Sequence, residues 1–157
     1  MSIFDNLRYG FHQPQYKSMP YPAKLQEFLD DLSMFEDRAE RIDALISIGQ
    51  RFKNPDSTAL PRNPETRVPG CESEVFVSSE PLAIGRNFTI AVDNPQGISA
   101  MALAQILDEN LSGEPAEEVG KVSEEVVYDI FGRELSMGKS LGLTNMVRMI
   151  KEEAKKS

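Results

Sequence analysis

Apolar positions recur at intervals of three and four across residues 23–52: Leu25, Phe28, Leu29 and Leu32, then Phe35, Ala39, Ile42, Leu45, Ile46 and Gly49. That spacing is helical, because side chains three and four apart share one face of a helix. Ser33 followed by Glu36 has the spacing of a capping box, so the stretch predicts two helices broken near residues 31–33. Pro55, Pro61 and Pro64 make residues 54–64 a loop. The period then changes to two. Val75 and Val77 alternate with their neighbours over residues 73–78, and Phe88, Ile90 and Val92 do so over residues 86–92. Residues 81–85 between them, opened by Pro81 and closed by Gly85, predict a hairpin turn.

Helical spacing returns after Asn94-Pro95, with Ile98, Met101, Ala102, Gln105, Ile106 and Leu107 in register until Ser112-Gly113 stops the helix. A short helix follows from Glu114, and another from Ser123 carries Val126, Val127, Ile130 and Phe131. The last helix, over residues 141–155, sets Leu143, Met146, Val147, Ile150 and Ala154 on one stripe. Helices, then strands, then helices predict an α+β domain, an antiparallel sheet with helices packed on one side. Residues 1–22 fit no period. Phe4, Tyr9, Phe11, Tyr16 and Tyr21 stand there with Pro14 and Pro20, too aromatic for a purely solvated tail. The expected division is an aromatic N-terminal arm, residues 1–22, lying on a domain of residues 23–157.

Composition narrows the chemistry. The 157 residues suit about one domain. A net charge of −8 argues against nucleic acid, which needs a basic patch to release counterions, and against an anionic membrane surface. No apolar run approaches the roughly 20 residues of a membrane span. One cysteine forbids an intrachain disulfide, and with one histidine it cannot build a Cys- or His-rich zinc site, so no metal is expected. A lone thiol suits a reducing compartment, and the N-terminus has neither a secretory pattern nor an Arg- and Ser-rich transit composition. The expectation is a cytoplasmic protein or the mature form of an organellar one.

The cysteine is Cys71, in Arg67-Val68-Pro69-Gly70-Cys71-Glu72-Ser73-Glu74-Val75-Phe76. A lone cysteine is most often a small buried apolar residue. Here Pro69-Gly70 punctuates the chain just before the thiol, and glycine permits backbone angles that re-aim a side chain. Cys71 therefore falls in a loop feeding a strand, where function collects on a rigid scaffold. If Val75 and Val77 face the core, the period of two turns Cys71 and Ser73 inward with them. Glu72 and Glu74 are expected to point to solvent. Arg67, Arg133 and Lys139 are the cations able to favour a thiolate. His12, in the arm, is more plausibly a solvated or packing histidine than a catalytic one. No spacing singles out a carboxylate pair, and no Gly-rich phosphate loop is present.

This segment resembles the active-site segment of the SufE family, sulfur acceptors for cysteine desulfurases, whose pattern runs basic, aliphatic, any residue, Gly-Cys-x-Ser-x-Val, aromatic. The likeness continues through Asp93-Asn94 and through Leu135-Ser136-Met137-Gly138-Lys139-Ser140-Leu141-Gly142-Leu143 with Met146. Upstream it takes in Phe35 to Gly49 and Arg51, so it covers about residues 23–155. Departures are Glu72 and Glu74 where glutamine is frequent, Phe76 for tryptophan, Lys139 for arginine, and Pro95 for a second aspartate. The resemblance implies an α+β fold shared with iron–sulfur scaffold proteins, though one cysteine cannot hold a cluster as a scaffold does. It implies Cys71 as the catalytic sulfur acceptor, Gly70 and Ser73 as its loop, and Arg67 and Lys139 as partner-binding cations. The implied partners are a cysteine desulfurase, which keeps the pyridoxal phosphate, and a scaffold or other sulfur recipient; the chain itself needs no cofactor. The alternative is a module that docks on a desulfurase and regulates it without carrying sulfur. A cysteine hydrolase is disfavoured because the sole histidine lies in the arm.

Overall fold

The computed structural model describes residues 21–157; the aromatic arm up to Pro20, with His12, lies outside the described residues. The described part opens on Tyr21, which is buried and donates its hydroxyl to Asp129 at 2.7 Å. Helix α1, Ala23–Ser33, follows and buries Leu25, Leu29 and Leu32. The expected break comes slightly later than the spacing indicated. The Ser33 hydroxyl donates back to the Asp30 carbonyl within its own helix instead of capping the next. Helix α2, Arg38–Gln50, is capped by the Asp37 carboxylate, which accepts from the Ala39 N–H at 3.0 Å. Only Leu45 and Gly49 of α2 are buried. Phe35, Ile42 and Ile46 belong to the helical stripe yet stay exposed, Ile42 and Ile46 at one edge of a groove completed by Phe131 and Leu135.

Strands β1, Val75–Pro81, and β2, Arg86–Val92, pair antiparallel with Val75 opposite Val92 and Pro81 opposite Arg86. Their turn is closed by the Leu82 N–H donating to the Gly85 carbonyl at 3.0 Å. Residues 66–68 lie along the other edge of β1. There the Val68 N–H donates to Val75 and the Val77 N–H to Thr66, both at 2.8 Å. One face of this ribbon sets Val75, Val77, Phe88, Ile90 and Val92 into the main core. Phe76 and Ala91 point the other way and are buried with Leu60 beneath the 54–64 loop. Arg62 clamps that loop, pairing with Asp93 at 2.9 Å and lying 5.8 Å above the Phe76 ring. Loop cover on the second face explains why β1 begins with three buried residues in a row rather than an alternation.

Four helices complete the chain: α3, Ile98–Leu111, α4, Ala116–Gly120, α5, Val126–Phe131, and α6, Met137–Ala154. Helices and an antiparallel ribbon make the α+β architecture that the patterning implied, with α3 and α6 packed on the ribbon's core face. Helix α6 starts four residues before the spacing placed it, at Met137, with the Ser136 hydroxyl accepting from the Lys139 N–H. Its first turn exposes Met137, Gly138 and Lys139 and leaves Ser140 half-buried, so it sets up no apolar stripe. Periodicity is blind to such a turn.

Helices α2 and α3 approach most closely at Gly49. A β-carbon there would stand 2.9 Å from the Ile98 carbonyl and 2.7 Å from its Cδ1. Gly49→Ala gains about 1 kcal/mol of helix propensity, but overpacking costs about 1–3 kcal/mol. Backbone on the receiving side decides the sign. The variant is expected to melt roughly 2–6 °C lower by circular dichroism, since about 1 kcal/mol shifts the midpoint of a chain this size by a few degrees.

Candidate functional site around Cys71

The edge segment 66–68 delivers the chain into a tight loop before β1. Gly70 takes φ +76°, a left-handed conformation that turns the chain so that Cys71 faces inward. Helix α6 closes over this loop at backbone distance. A β-carbon on Gly142 would stand 2.7 Å from the Cys71 Cα and 2.9 Å from its Sγ. The Leu141 side chain lies over Gly70, and the Asn145 amide donates to the Pro69 carbonyl at 2.8 Å. On the opposite side stands the turn before α3. There the Asn94 amide donates to the Ser73 hydroxyl at 3.1 Å, and Gly97 leaves room for that hydroxyl. Between the two walls is a cavity of about 200 Å³ lined by Cys71, Ser73, Asn94, Gly97, Lys139 and Leu143, among others.

Cys71 is half-buried against the main core. Burial pushes its thiol up from 9.0 to about 11, and the Arg67 charge pulls the other way without overcoming it. At neutral pH the resting side chain is therefore a protonated thiol.

The sequence candidates separate on this geometry. Cys71, Ser73 and Lys139 line one cavity, and Gly70 sets the turn beneath them. Arg67 acts on the thiol by charge from outside the cavity and pairs with Glu74 at 2.8 Å, both side chains about half-exposed. Glu72 and Glu74 are exposed, as expected. Arg133 is not at the site: it pairs with Glu125 at 2.9 Å and lies 5.1 Å above the Tyr128 ring. Asn94, Gly142 and Asn145 were given no role by the sequence reasoning. For Asn145 a signal existed, a polar residue between Leu143 and Met146 on the apolar stripe of α6. For Gly142 the only signal was its place in the SufE-like closing segment, because a close backbone approach has no period.

The family model for SufE, an Fe-S metabolism associated domain, matches residues 26–154. The chain belongs to the SufE family. An uncharacterized SufE-like protein of Rhizobium etli is 28% identical over 143 residues, covering 86% of this chain and 92% of that protein. The solution structure of a hypothetical protein from Thermus thermophilus shares the fold, with a TM-score of 0.67 at 19% identity over 86% of this chain and 96% of that one. Membership associates this SufE-family chain with iron–sulfur metabolism. Among its described residues no helix is long and apolar enough to cross a membrane.

A thiol held near 11 has a distinctive labelling profile. Only the thiolate is nucleophilic, so the alkylation rate of Cys71 should climb about tenfold per pH unit well past the ordinary thiol range near 8.5. Iodoacetamide labelling followed by intact mass from pH 7 to pH 10 checks this. A plateau near pH 8.5 would show that burial does not govern the thiol.

Proposed function

We propose that this protein accepts sulfur from a cysteine desulfurase on Cys71 and passes it on for iron–sulfur cluster assembly. The observation that carries the reading is the placement of the chain's sole thiol, half-buried, in a small half-open cavity within the segment resembling the SufE active site. The Cys71 thiolate attacks the outer sulfur of a persulfide on the desulfurase cysteine. A new S–S bond forms to Cys71 as the old one breaks, and its electron pair leaves with the desulfurase cysteine as thiolate. The proton on the outer sulfur travels with it, so Cys71 becomes the persulfide and no outside oxidant or reductant is needed. A recipient thiol takes the sulfur onward by the same exchange. Partial burial shields the persulfide from stray thiols. The chemistry calls for no cofactor on this chain; the pyridoxal phosphate stays with the desulfurase. Lys139, at the cavity, and Arg67, beside the loop, are the cations offered to the partner and to the developing thiolate.

One observation favours a second reading. A thiol at about 11 is a poor nucleophile at neutral pH, as a docking module that regulates the desulfurase without carrying sulfur would allow. Incubation with candidate desulfurases and cysteine, followed by intact mass, separates the two. The parent should gain one sulfur atom, and Cys71→Ser should gain none and fail to stimulate turnover. Stimulation by Cys71→Ser equal to the parent's would establish the docking module instead. In the same assay Arg67→Glu with Lys139→Glu should fold normally, since exposed pairs contribute only about 0.2–1 kcal/mol. It should lose stimulation at low salt and recover part of it as screening weakens the repulsion.

A further inference from the structure

The thiol loop has a polar attachment of its own, separate from the apolar packing of α6. Asn145 is buried on α6 and donates its amide to the Pro69 carbonyl at 2.8 Å, two residues before Cys71. Its side-chain oxygen accepts from Arg148 at 2.7 Å, and Arg148 in turn donates to Glu124 at 2.6 Å. The direction of this chain of bonds is fixed by chemistry. Arginine only donates, so the Asn145 oxygen must face Arg148, and this leaves the amide NH₂ for the Pro69 carbonyl. A flipped amide would set its oxygen against that carbonyl and its NH₂ against the guanidinium. Arg148 and Glu124, unlike Asn145, sit largely at the surface, with side chains 58% and 37% exposed.

We propose that Asn145 is a positioning residue that latches the Cys71 loop shut, and that the surface pair Arg148–Glu124 holds the latch by fixing the orientation of the Asn145 amide. This rests on Cys71 as the reacting thiol for its importance to sulfur transfer. The latch governs a two-state loop, closed with the thiol against Gly142 and open with the thiol in water.

The test reads loop opening directly and involves no desulfurase, so it stands or falls apart from the sulfur-acceptor reading. Cys71 alkylation by iodoacetamide is followed across pH in the parent, Asn145→Leu, Arg148→Met and the double variant, alongside thermal melting. Asn145→Leu keeps the side-chain volume and removes the donor; Arg148→Met keeps the apolar stem. One lost hydrogen bond should raise labelling at pH 8 by roughly two- to tenfold in Asn145→Leu, with a smaller rise in Arg148→Met. The labelling midpoint should move down from about 11 toward the ordinary 9.0, because the open thiol is solvated. Since Arg148 acts through Asn145, the double variant should label no faster than Asn145→Leu alone. Unchanged labelling in Asn145→Leu, multiplication of the two single effects, or faster labelling that merely tracks a falling melting temperature would each overturn the latch. Should Asn145→Leu not fold, Arg148→Met alone decides by the same comparison of labelling with melting.

Discussion

Helix α6 meets the thiol loop with backbone rather than with side chains. At Gly142 nothing stands between the helix and Cys71, and a single added methyl would fall inside contact distance of both the Cys71 Cα and Sγ. Much else follows from that contact. It shields one side of the sulfur, fixes the depth at which the loop sits, and brings the first turn of α6 with Lys139 to the same cavity. Protein interiors are packed like crystals, so such a contact is either made or broken and does not stretch. A loop held this way has a closed arrangement and an open one with little between them.

The same contact sets a conflict between storage and reactivity. Burial raises the thiol to about 11, and the charge of the half-exposed Arg67 does not restore an ordinary value. On the proposed sulfur-acceptor reading, shielding that suits a bound persulfide works against its formation. An opening of the loop resolves this, since a solvated cysteine with cations at hand recovers its thiolate. The polar ties along the loop, Asn94 on Ser73 and Asn145 on Pro69, are single hydrogen bonds. Each contributes about 1 kcal/mol, enough to favour closure and small enough for a docking partner to overcome.

Parts of this were legible in the sequence because they depend on local chemistry. The bounds of β2 follow from the alternation of Phe88, Ile90 and Val92, and the end of α3 from Ser112-Gly113. Pro69-Gly70 before the sole cysteine marked a turned loop, and Gly70 does take a left-handed φ. What depends on tertiary contact was not legible. The Ser33–Glu36 spacing suggested a cap, but Ser33 stays in the first helix, its hydroxyl donating to the Asp30 carbonyl, and the Asp37 carboxylate accepts the capping bond from Ala39 N–H. The start of α6 was hidden because Met137, Gly138 and Lys139 are exposed and none joins a core stripe. Phe76 was read as one side of an alternating strand, yet the 54–64 loop folds over it and buries the second face. Gly142 has no place in the hydrophobic period, although it sets the geometry of the site.

The central claim is that the Cys71 loop opens as a unit against an α6 that stays folded. The most direct test measures Cys71 alkylation, with and without a desulfurase whose own reactive cysteine is blocked, beside amide hydrogen–deuterium exchange of α6. Alkylation of Cys71 should speed up on addition of the desulfurase, while residues 143–150 of α6, whose amides are bonded within the helix, keep their protection. Alkylation unchanged or slowed by the desulfurase, or faster alkylation with α6 losing its protection, would contradict the account.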